Sequence, residues 1–96
     1  MQSNRREFDS LLHDTKEVAG RLLAQAPDFP AYLSIGRQLR ALAVWTADGK
    51  LPTEEQRHAL DFQVVAVREL EPDPNPEVQQ FVKKLYRLAY DLKRLT

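Results

Sequence analysis

A chain of 96 residues suits one domain, which at this size removes about two-thirds of its unfolded surface from water. Its 43% hydrophobic and 29% charged residues are ordinary for a globular chain, and the lack of cysteine excludes disulfides, thiolate nucleophiles and zinc–thiolate sites. A formal net charge of zero argues against a nucleic-acid binder, and no stretch nears the ~20 apolar residues of a membrane span.

In the first stretch, Phe8, Leu11, Leu12, Thr15, Val18, Ala19, Leu22 and Leu23 follow the three-four spacing of one helix face. With Ser3 as N-cap and Pro27 as stop, the spacing predicts a helix over about 3–25. The N-terminal MQSNRREFDS has no apolar run behind its arginines, so no signal peptide is expected and the default location is the cytoplasm.

A second helix is predicted over about 29–47. Asp28 is its cap candidate and Pro30 falls where a first-turn proline is tolerated. Tyr32, Ile35, Gly36, Leu39, Leu42, Ala43 and Thr46 share its face, and Gly36 is expected to let a neighbouring helix approach closely. Asp48-Gly49 marks the turn that ends it. Trp45, near that end, reads as core rather than as an exposed anchor.

Thr53 and Gln56 form a capping-box pattern that opens a third helix, about 53–70. Leu60, Phe62, Val64, Val65, Ala66 and Val67 make it apolar on more than one side, which fits a central helix. A strip of it left uncovered would also leave room for a homodimer.

The connection Glu71-Pro72-Asp73-Pro74-Asn75-Pro76 is stiff, because alternate prolines fix φ and push the residues between them toward extended geometry. Asn75 caps and Pro76 opens the last helix, about 75–95, whose stripe is Val78, Phe81, Val82, Leu85, Leu88, Ala89, Leu92 and Leu95. Tyr86 and Tyr90 lie off its centre, where either a core-edge role or an interface role is open. Four amphipathic helices with short connections predict an all-α fold, a four-helix antiparallel bundle-like single domain.

Charge is unevenly placed. Residues 1–50 carry a net of +1, residues 51–77 a net of −5 and residues 78–96 a net of +4. The acidic block either pairs with the basic last helix or offers a surface to a basic partner.

The catalytic inventory is thin. Ser10, His13 and Asp14 share one side of one helix, which supplies neither an oriented base nor an oxyanion hole. Glu54, His58 and Asp61 follow one helix edge, whereas metal sites draw ligands from several elements with a supporting second layer. The three glycines are scattered and form no phosphate loop. The reading is therefore a non-enzymatic binder with no cofactor, metal, nucleic acid or membrane partner.

Ala26-Pro27-Asp28-Phe29, Leu33-Ser34 and Arg37-Gln38-Leu39, then Val67-Arg68-Glu69-Leu70, Pro76-Glu77, Lys83 and Tyr86, resemble in order and spacing a family of type VI secretion immunity proteins. The resemblance runs from about residue 8 to residue 92. It departs where prolines crowd the last connection and where Arg87 stands in place of an aromatic. It implies a small helical protein, not an enzyme, that binds a cognate toxin domain and blocks its active site. In that family the toxins are an NAD(P) glycohydrolase or a (p)ppApp synthetase.

A pocket for a phosphate-rich nucleotide presents positive charge and backbone donors, which carboxylates can fill. The partner-binding candidates are therefore Asp61, Glu69, Glu71 and Asp73, with Tyr86 and Tyr90 as apolar anchors. The alternative is a helical adaptor or subunit unrelated to toxin immunity.

Overall fold

The computed structural model describes residues 5–95 and is all-α, with no strand among the described residues. The expected cap Ser3 lies outside them. Helix α1 spans Arg5–Gln25 and α2 spans Pro30–Trp45. A short α3, Glu54–His58, precedes α4, Phe62–Val65, which widens into a π-helical turn over Ala66–Leu70. Helix α5 spans Pro76–Arg94.

The bundle is antiparallel, as three contacts between helix ends show. Arg5, at the start of α1, donates to the backbone carbonyls of Thr46 and Lys50, just past the end of α2. Arg21, near the end of α1, meets Glu77 in the first turn of α5 at 3.5 Å. Arg57, in α3, donates to the Leu92 carbonyl near the end of α5 at 2.8 Å. Helix α1 packs on both α2 and α5, and the α4 segment closes the space between those two.

The predicted stripes of the first, second and last helices supply most of the core, whereas Val64 and Val67 of the expected central helix are exposed. Phe8, Leu12 and Leu22 of α1, Ile35, Leu39 and Leu42 of α2, and Phe81, Leu85 and Leu88 of α5 are buried with Phe62, Ala66 and Leu70. Each of the Leu, Ile and Phe side chains contributes roughly 1.5–3 kcal/mol of transfer free energy. Two hydroxyls are buried with them, and each donates one turn back. Thr15 Oγ1 reaches the Leu11 carbonyl at 2.6 Å and Thr46 Oγ1 the Leu42 carbonyl at 2.8 Å.

Several local expectations hold. Thr53 Oγ1 accepts from the Gln56 N–H while Gln56 Oε1 accepts from the Thr53 N–H, the full capping box. Asn75 Oδ1 accepts from the Glu77 N–H at 2.9 Å, with Pro76 in the first turn. Asp48 and Gly49 both take positive φ, 57° and 79°, in the turn after α2.

Others do not. The third helix is broken between His58 and Phe62, because Gln38 of α2 captures the chain at Asp61. The Asp61 N–H donates to Gln38 Oε1 at 2.7 Å and Gln38 Nε2 donates to Asp61 Oδ1 at 2.6 Å. Those bonds satisfy the Asp61 backbone outside a helix, so the capping box opens only a single turn. The N-cap of α2 is Phe29, with no side-chain hydrogen bond, and not Asp28. Gly36 serves no close approach: a β-carbon there would meet nothing within 4 Å. Trp45 is half-buried at the end of α2, outside the core set.

Candidate docking site

The acidic connection is held by one side of α5. Gln79 and Tyr86 stand seven residues apart, two helical turns, so both point the same way. Gln79 Nε2 donates to the carbonyls of Glu71, at 3.0 Å, and Asp73 and also approaches that of Leu70. Tyr86 Oη donates to a Glu71 carboxylate oxygen. The Asp73 N–H donates to the Leu70 carbonyl and Asp73 Oδ1 accepts from the Asn75 N–H at 2.9 Å. A proline-rich segment is thus fixed at both its backbone and its side chains, which lowers the entropy it would lose on docking.

Electrostatics mark the same place. Tyr86 has its pKa pushed up to about 12, first by its hydrogen bond to Glu71, then by burial and by the Glu71 charge. Buried Tyr32 of α2 packs edge-on to Phe29 at 4.9 Å and to Phe81 at 6.5 Å. Burial raises its pKa, and the Asp73 and Glu77 charges raise it further.

The six sequence candidates do not form one cluster. Glu71 and Tyr86 are bonded to each other, with Asp73 two residues along the same connection. Glu69 pairs with its neighbour Arg68 at 3.1 Å. Glu69 shares a groove of about 400 Å³ with Asp61, lined also by Phe29, Ser34 and Val65. Asp61 is used within the fold by Gln38. Tyr90 is 57% exposed, with the Arg94 guanidinium over its ring at 5.4 Å and Arg94 Nη1 donating to its hydroxyl at 3.2 Å.

Gln79 and Gln38 were missed. The i, i+7 relation of Gln79 to Tyr86 is visible in the sequence, but the segment they grip is not. A larger groove, about 590 Å³, runs between α3, α4 and α5, floored by Leu60, Phe62, Ala89 and Leu92. Among the described residues no three His, Asp or Glu side chains gather as a metal site, so Glu54, His58 and Asp61 are not brought together.

No helix among the described residues is long and apolar enough to cross a membrane. A search of curated proteins returns no match, and a search of solved structures returns none. The comparison with protein families matches residues 5–94 to Tsi6, nearly the whole chain. The chain belongs to the Tsi6 family, the type VI secretion immunity proteins of NAD(P)-glycohydrolase and (p)ppApp synthetase effectors.

Proposed function

We propose that this immunity protein neutralises its toxin by seating Glu69, near the end of the α4 segment, and the acidic connection that follows it, through Asp73, in the cleft where the toxin domain binds its nucleotide. Membership in an immunity family implies a cognate toxin protein as partner. The observation that carries the surface is the fixing of Glu71 and Asp73 by Gln79 and Tyr86, which holds their carboxylates on an ordered segment. A cleft built for phosphates offers backbone N–H groups and cationic side chains, and carboxylates accept from both.

The protein acts as a plug and performs no turnover. It works in the cytoplasm of the producing cell, where NAD(P) or the adenosine nucleotides consumed in (p)ppApp synthesis would otherwise be lost. Tyr86 and Tyr90 supply apolar contact beside the carboxylates.

Charge-driven docking has a kinetic signature. The association rate with the toxin domain should fall steeply between about 50 and 500 mM salt, and the fall should flatten in a Glu69→Gln/Asp73→Asn variant. An association rate indifferent to salt would rule out this surface.

A further inference from the structure

The α4 segment and α5 lie side by side and antiparallel, and together they expose a stripe that the acidic-connection reading leaves unexplained. Its middle is apolar: Val64 and Val67, one turn apart, are 57% and 50% exposed, and Tyr90 of α5 is 57% exposed. One end is acidic, where Glu71 meets Tyr86. The other end is the 590 Å³ groove with its apolar floor. That end is rimmed by Lys93 and His58, with Glu54 as the acid among them, and Arg94 follows next to Lys93. Lys93 is exposed and makes no ion pair among the described residues.

The geometry points to a second copy of this chain as the occupant of the stripe. A two-fold axis lying across the stripe turns one copy end for end. It sets the acidic end of each against the Lys93–Arg94 end of the other, and the apolar middle of each, Val64 and Val67, against the same middle of the other copy. Such self-complementarity is what an isologous interface requires, because every contact is made twice. The opposed charges fix the register and the valines exclude water.

The stripe is narrow, so the dimer belongs with small, transient interfaces, with a Kd on the order of 10–100 μM. It reuses Glu71 and Tyr86, so self-association and docking of the acidic connection would exclude one another. The dimer itself stands whether or not that docking reading does.

Sedimentation equilibrium of the full chain from about 1 μM to 1 mM tests this, without any toxin. The average mass should climb from the single-chain 11.1 kDa toward twice that value, and less steeply as salt is raised. Val64→Lys should hold the mass at one chain throughout. Lys93→Glu should weaken association about tenfold, with circular dichroism unchanged for both because these positions are exposed. Should a variant unfold, dilution of the wild type followed by amide chemical shifts gives the same answer: the changes should map to 60–71 and 86–94. A mass of one chain at 1 mM overturns the proposal. So does a dimer unaffected by Val64→Lys, and so does a Val64→Lys variant that loses only affinity for the toxin domain.

Discussion

Tyr86 and Glu71 are fifteen residues apart in sequence and joined by a hydrogen bond from the phenol to the carboxylate, so the middle of α5 holds the start of the connection that precedes it. Because the bond is made by the neutral phenol, its contribution depends on pH. The folded pKa, about 12, lies above the ordinary 10.0. The stabilisation is therefore fully present below pH 10 and is lost as pH rises toward 12. Absorbance titration of the tyrosines should show one late-ionising phenol beyond buried Tyr32, and Glu71→Ala should return it toward 10.

Gln79 donates its amide to backbone carbonyls of the connection, which no other side chain among the described residues does. Gln79→Ala should cost about 1–2 kcal/mol, the price of leaving those carbonyls to water or to nothing. Thermal unfolding measures that loss. Amide hydrogen exchange should speed up at Glu71, Asp73 and Asn75 and stay unchanged in α1.

Gln38 holds Asp61 from across the bundle with two short bonds. Gln38→Ala should destabilise by about 1–2 kcal/mol, and Gln38→Glu by more at neutral pH, because it sets a second carboxylate against Asp61. Acidification to about pH 3 should recover part of the Gln38→Glu deficit as the pair gains protons. Urea unfolding at the two pH values reads this directly.

Gly20 and Gly36 both sit in helices with open space where a β-carbon would go, and both line a small groove between α1 and α2. Gly20→Ala and Gly36→Ala should each raise stability by about 0.5–1 kcal/mol through helix propensity. Unchanged or lowered unfolding midpoints would show that the groove is needed.

What was legible in the sequence was local. The three-four spacing of Phe8 to Leu22 and of Val78 to Leu92, the capping box at Thr53 and the cap at Asn75 all concern neighbours within a few residues, and all appear as expected. The break at Asp61 was not legible, because its cause is a glutamine 23 residues away. Likewise the acidic connection was visible as charge and proline, while its fixing by Gln79 and Tyr86 depends on α5 folding back beside α4. Gly36 misled because glycine on an apolar face signals either a close approach or a gap, and spacing does not separate them. The family resemblance reached further than either, since order across the whole chain carries information that no single helix does.

The proposed inhibition of the toxin domain by the acidic connection is measured by titrating the domain with this chain while NAD(P) hydrolysis or (p)ppApp formation is followed. Wild-type chain should abolish turnover at one equivalent. A Glu69→Gln/Glu71→Gln/Asp73→Asn variant keeps the acceptors for Tyr86 and for the Asn75 N–H but removes three charges. It should need at least about 100-fold more protein for the same inhibition, consistent with loss of buried charge pairs. A triple variant that inhibits at one equivalent, as the wild type does, would contradict the account.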